Sequence, residues 1–285
     1  MILVTGATGR LGGLVVERLL ERHPASEVAV SVRDPERATA LAERGVDVRR
    51  GDFADPASLG TAFAGVGTAL VVSSGGLGEE GPRLHGAAIT AAREAGVGRL
   101  VYTSHQGAGA DSAFDPMHTH ARTEELLAAS GLRWTALRNG FYASTIAMLL
   151  QQARDGVLRI PGDGPVSWTT HEDLAEAAAL VLLDDEAPDG PTPPLTAGRA
   201  VEVASAVGPE VRVELVDPDA HLAAMLGHGV PEDRARMVLG MFAAFAAGEF
   251  DVVDPHLAVL LGREPVSQPV SGPVSASAAS GPAPR

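Results

Sequence analysis

Thr5-Gly6-Ala7-Thr8-Gly9-Arg10-Leu11-Gly12 stands near the head of the chain, between a strand-like Met1-Ile2-Leu3-Val4 and a helical Leu14–Arg22. The three glycines have separate tasks. Gly6 permits a tight turn, Gly9 lets a pyrophosphate approach the backbone, and Gly12 lets the helix pack close to the strand. The helix start adds unpaired N–H groups and a positive dipole end. This strand–loop–helix context predicts a dinucleotide-binding loop, with Gly6, Thr8, Gly9, Arg10, Leu11 and Gly12 at the ligand.

Strand and helix signals alternate beyond the loop. Strands are expected at Val28–Val32, Val46–Val48, Thr68–Val72, Leu100–Thr103 and Trp134–Leu137. Helices are expected at Pro35–Arg44, Pro56–Ala64, Pro82–Ala95 and Thr119–Ala129. Short apolar strands separated by longer helices imply βαβ units and a parallel sheet covered on both faces. The expected fold is α/β: a Rossmann-type doubly wound sheet of six strands with a small C-terminal substrate lobe. Phe141–Arg154 reads as a further helix, Gly156–Pro165 as a turn-rich insertion, and Leu174–Leu183 as an apolar helix. The prolines of Pro188–Pro194 break it. The expected division is a nucleotide domain at 1–155, with 171–197 packing back onto it, and a lobe from 156–170 and 198–264. A disordered Pro/Ser/Ala tail is expected at 265–285.

Composition narrows the chemistry. The 285 residues carry a net charge of −14, which argues against a nucleic-acid partner. There is no cysteine, hence no disulfide, thiolate nucleophile or Cys-ligated metal. All 22 basic residues are arginine. The missing lysine excludes a Schiff-base lysine, a Walker-type lysine and the Tyr-x-x-x-Lys pair of ordinary short-chain dehydrogenases. No signal peptide or apolar run long enough to span a membrane is read, so a cytoplasmic protein without a membrane partner is expected. Monomer and homodimer both stay open.

Ligands in such sheets sit outside the strand C-termini, which nominates further residues. At the end of the second strand an acidic side chain suits the ribose of NAD and an arginine the 2′-phosphate of NADP. Arg33, with Arg10 nearby, favours NADP; Asp34 keeps NAD possible. Asp52 and Phe53 could flank the adenine, Ser73, Ser74 and Gly75 the nicotinamide-side ribose and phosphate, and Ser104 ends the fifth strand. His118-Thr119-His120 lacks a third ligand close by, so no metal is expected.

The stretches TGATGRLG (5–12), GDFADP (51–56), VYTSHQGA (101–108), HTHARTEELLAASGLRWTALRNGFY (118–142) and WTTHEDLAEAAA (168–179) resemble the atypical short-chain dehydrogenases of NmrA type. Within them the chain is most similar to the bacterial NAD(P)H:quinone oxidoreductase branch with its triphenylmethane-reductase relatives. The likeness runs to about residue 264. It implies a Rossmann domain, an NADP cofactor and a substrate cleft beneath the lobe, with Asn139 and Gly140 near the nicotinamide. Members of the family are reductases or redox-sensing regulators. Some carry a lysine just before the equivalent of His120, where this chain has Thr119.

Hydride transfer is the cofactor's chemistry, and the protein binds, orients and excludes water. Quinone reduction needs little acid catalysis, so a lysine-free site is compatible with it. His120 is the first candidate proton donor, followed by His118 and by Tyr142 after the sixth strand. Trp168 and His171 could border the pocket. The expected activity is NADPH-dependent reduction of a quinone or similar planar aromatic molecule. A redox-sensing regulator without turnover, or a tailoring reductase of aromatic metabolites, remains the alternative.

Overall fold

The structure, a computed structural model, describes residues 1–266. In chain order the strands are β1 (Ile2–Thr5), β2 (Val28–Val32), β3 (Asp47–Arg50), β4 (Thr68–Val71), β5 (Arg99–His105), β6 (Arg133–Asn139), β7 (Val157–Ile160), β8 (Gly190–Pro191) and β9 (Arg212–Leu215). The helices are α1 (Arg10–Leu20), α2 (Thr39–Glu43), α3 (Pro56–Phe63), α4 (Glu80–Glu94), α5 (Pro116–Ala129), α6 (Ser144–Leu150), α7 (His171–Leu183), α8 (Val203–Ala206), α9 (Pro218–Gly227), α10 (Glu232–Ala246) and α11 (His256–Leu261).

Seven strands form a parallel sheet in the order β3-β2-β1-β4-β5-β6-β8. β1, β2 and β5 are buried along their whole length, because helices cover both faces. On one face α1 packs against α7, and α7 against α11. The apolar contributors there include Val15, Val16, Leu19, Leu174 and Leu257. On the other face α3, α4 and α5 lie side by side over Leu59, Phe63, Ile89, Tyr102 and Leu127. Strand order reverses between β1 and β4. This is the topological switch point, outside whose strand C-termini sheets of this kind bind their ligands.

A third apolar cluster, with Phe141, Trp168, Phe242, Phe245 and Phe250, packs together with the parallel β7–β9 pair. Trp168 is plain core, with its indole N–H donated to Val201 O at 2.9 Å.

Several expectations need correction. The sheet has a seventh strand inside the proline-rich Pro188–Pro194 stretch. β8 lies at the sheet edge, where Pro191 lacks only a ladder bond that nothing would accept. Pro35–Arg44 is not one helix but a short 3-10 turn at Pro35–Ala38 followed by α2. Phe141–Tyr142 stays extended because Thr169 bridges it, so α6 begins only at Ser144. The turn-rich insertion contains β7. The first two residues of the expected tail are fixed: Pro265 is buried, and Val266 N–H donates to Asp173 Oδ2 at 2.7 Å. The rest of that tail, 267–285, lies outside the described residues.

Candidate active site

The glycine loop has the geometry expected of a phosphate cradle. Gly6 adopts φ +63°, a left-handed conformation that side chains disfavour. A Cβ at Gly12 would lie 2.8 Å from the Gly6 carbonyl carbon and 3.2 Å from Ala7 Cα, both backbone atoms. Gly9 is the N-cap of α1, and no side chain caps the helix. The first intrahelical bond in the loop runs from Gly13 N–H to Gly9 O, which leaves the N–H groups of Arg10, Leu11 and Gly12 for an anion. Thr8, Gly9 and Arg10 are exposed, whereas the Leu11 side chain is core and offers only its backbone. These residues fit a dinucleotide diphosphate.

At the end of β2, Asp34 is already engaged. Its carboxylate accepts from Glu36 N–H at 3.2 Å and caps the 3-10 turn. Arg33 is exposed and has no ion-pair partner among the described residues. Asp52 accepts from Ala54 N–H at 2.9 Å, so its carboxylate shapes the turn after β3. Phe53 is half-buried, edge-on to the His85 ring with centroids 6.5 Å apart.

The loop after β4 is held by residues far away in sequence. Ser73 N–H donates to Thr103 Oγ1 at 2.8 Å, and Ser74 N–H donates to His85 Nε2 at 2.8 Å. Gly75 is exposed beside them. His85 is fully buried on α4, and burial pushes its imidazole down to about 4. Its other nitrogen lies 2.8 Å from Thr123 Oγ1, which in turn donates to Thr119 O. Tyr102 on β5 sits beside it, with its hydroxyl 2.9 Å from His120 Nδ1. His105, at the end of β5, accepts Gly107 N–H at Nδ1, and burial holds it at about 3. Burial and the neighbouring His105 and His85 also keep His120 well below the ordinary histidine value. The three imidazoles are therefore neutral near pH 7. The sequence reading missed His85 and Tyr102 because nothing in their spacing links them to the loop.

Ser104 does not present its hydroxyl to the crevice. It donates to Glu124 Oε1 at 2.6 Å, and Glu124 binds Arg138 through Nε (3.1 Å) and Nη2 (2.7 Å). The Thr123-Glu124 and Arg138-Asn139-Gly140 segments thus have physical reasons. Thr123 holds His85, and Glu124 ties β5, α5 and β6 together. Gly140 is required because a Cβ there would lie 2.9 Å from both Leu195 O and Thr169 Cβ. Asn139 is buried, with its Oδ1 unpartnered and sealed from the surface.

His118 is not brought to the site. It lies two residues from His120 on α5, hence on another face of the helix. It is exposed, with Nε2 2.8 Å from Ser112 O. Tyr142 stacks on His171 with centroids 4.2 Å apart, and burial raises the phenol while it lowers His171 to about 4. Next to this pair opens a cavity of about 690 Å³ lined by Arg10, Ser144, Met148, His171, Glu172 and Val266, among others. It joins the glycine loop to the N-termini of α6 and α7. Among the described residues no group of three or more His, Asp or Glu could hold a metal ion, and no helix is long and apolar enough to cross a membrane.

Residues 6–185 match the family model described as NAD(P)H-binding. The chain is 40% identical over 186 residues to quinone oxidoreductase 2 of Escherichia coli, spanning 65% of this chain and 64% of that relative. It is 30% identical to an NmrA-like family domain-containing oxidoreductase of Aspergillus flavus, over 93% of this chain and 91% of the relative. Among solved structures, triphenylmethane reductase of a Citrobacter species, complexed with NADP(H), superposes with a TM-score of 0.82 at 31% identity, covering 93% of this chain and 96% of that one. An NADPH-dependent quinone oxidoreductase from Escherichia coli, complexed with NADPH, gives 0.81 at 32% identity over 94% and 96%. Family match, sheet order and glycine cradle agree, and the chain belongs to the NAD(P)H-binding oxidoreductases of NmrA-like type.

Proposed function

We propose that this protein is an NADPH-dependent reductase that passes a hydride to a quinone or a similar planar aromatic acceptor. The observation that carries this is His120: a neutral imidazole held by Tyr102 and lying against His105 at the C-terminal end of β5. A neutral imidazole with a free N–H can hydrogen-bond an acceptor oxygen and supply a proton as charge builds there. NADPH, when bound, supplies the hydride. The α1 N-terminus and Arg10 would hold the diphosphate, and Arg33 would meet the 2′-phosphate. The 690 Å³ cavity, with His171 and Met148 in its wall, suits a flat molecule. The starts of α6 and α7, with Arg10 and Val266, shape that cleft. The names of the similar proteins, a quinone oxidoreductase and a triphenylmethane reductase, support the same acceptor class.

NADPH oxidation against a panel of quinones tests this. His120→Ala is expected to lower kcat by about tenfold to a hundredfold while NADPH affinity is unchanged. If NADPH binds but no acceptor is turned over, the chain is a nucleotide sensor instead. Arg33→Ala is expected to cut the preference for NADPH over NADH by about tenfold, the loss of one charge-assisted phosphate contact. Unchanged discrimination would remove Arg33 from the cofactor site.

A further inference from the structure

We propose that Tyr102 is a positioning residue that fixes which nitrogen of His120 carries the proton, so that Nε2–H is the group offered to the acceptor. The inference rests on the reductase reading and adds a residue to it. It follows from a chain of hydrogen bonds with one unambiguous donor at its start. Ser74 N–H can only donate, so His85 Nε2 accepts and His85 carries its proton on Nδ1. That Nδ1–H donates to Thr123 Oγ1, whose own proton goes to Thr119 O. The Tyr102 hydroxyl touches His85 Nδ1 at 3.5 Å and His120 Nδ1 at 2.9 Å. The first nitrogen already bears hydrogen, and the Thr123 hydroxyl beside the phenol already accepts that hydrogen, so the phenol's proton goes to the close 2.9 Å contact with the second. His120 Nδ1 is then an acceptor, and its proton must be on Nε2.

The surroundings keep this arrangement. Tyr102 is fully buried, and burial raises its phenol, so it stays a donor. The titratable groups facing His120 are Tyr102 and His105 from β5 and His85 from α4. Glu124 on its own helix is occupied by Ser104 and Arg138. None supplies a charge that would draw His120 into its protonated form. His120 is half-buried, and its Nε2 has no protein partner among the described residues. His85 also grips Ser74, so the loop after β4 and the orientation of His120 share one buried network.

The test is histidine side-chain ¹⁵N NMR on the full chain, with His120→Ala assigning the signal, alongside NADPH:quinone kinetics. The wild type should show a neutral His120 ring with its proton on Nε2. Tyr102→Phe, which keeps the buried ring, should shift part of the population to Nδ1–H. It should lower kcat by about tenfold with the NADPH KM unchanged. Thr123→Val removes the acceptor of His85 and should disturb the His120 signal less than Tyr102→Phe does, whereas Thr123→Ser should restore it. A wild-type proton on Nδ1, or a signal that Tyr102→Phe leaves unmoved, overturns the inference. So does an unchanged kcat with a shifted tautomer. A wild type that turns over nothing overturns the reductase reading instead, and the NMR arm still decides the tautomer.

Discussion

Gly12→Val is expected to weaken NADPH binding by at least about a hundredfold and to lower the melting temperature. The reason is geometric. A Cβ at residue 12 meets the backbone of Gly6 and Ala7, and no rotamer can relieve a collision with main chain. Either α1 moves away from the end of β1 or the Gly6–Gly9 turn deforms. In both cases the N–H groups of Arg10, Leu11 and Gly12 lose their common aim, and with it the anion site. Gly60→Ala is the control. It lies on α3 where an added Cβ meets nothing within 4 Å, so it should leave binding alone and hold or raise stability. Fluorescence titration with NADPH and thermal melts read both variants. Wild-type affinity in Gly12→Val would mean the nucleotide does not use this loop.

The second large effect is expected at Glu124. This carboxylate is buried and takes three bonds, one from Ser104 and two from Arg138. Glu124→Ala should cost about 3 kcal/mol, because it strands the partly buried Arg138 guanidinium and the Ser104 hydroxyl together. For a chain of this size that is roughly 10 °C in melting temperature. Glu124→Gln keeps the shape and one acceptor oxygen, so its loss should be smaller. Urea unfolding should show a lower midpoint at an unchanged slope. A midpoint in Glu124→Ala equal to wild type would show that solvent reaches Arg138 well enough to replace the pair.

Much of the fold was legible because its determinants are local. The strands at Val28–Val32 and Thr68–Val71 announce themselves as short apolar runs, and the Gly6 turn by a residue that tolerates positive φ. β8 was not legible. A Gly-Pro pair with prolines around it has no strand signal of its own, and it joins the sheet only because Thr135 and Ala136 present an open edge. The helix expected from Phe141 failed for a similar reason, since Thr169 captures Tyr142 and Ala143 from 26 or more residues away.

The candidate site divides along the same line. Arg33 and Asp34 look equivalent as neighbours, and only the bond from Glu36 N–H to Asp34 separates a capping residue from an exposed arginine. His118 and His120 look like a pair, yet the pitch of α5 sends one to solvent and the other to Tyr102. Ser104 reads as a crevice residue until Glu124 claims its hydroxyl.

The amino-acid sequence by itself determined that this chain builds a parallel sheet around an amino-terminal phosphate loop and works without lysine or cysteine. Backbone conformation, apolar periodicity and side-chain inventory are properties of neighbouring residues and need no long-range contact. Only the tertiary structure decided which of the two α5 histidines meets Tyr102 and which faces solvent. That depends on β5 and α5 bringing a phenol and an imidazole within 2.9 Å across 18 residues, and on burial that keeps the imidazole neutral.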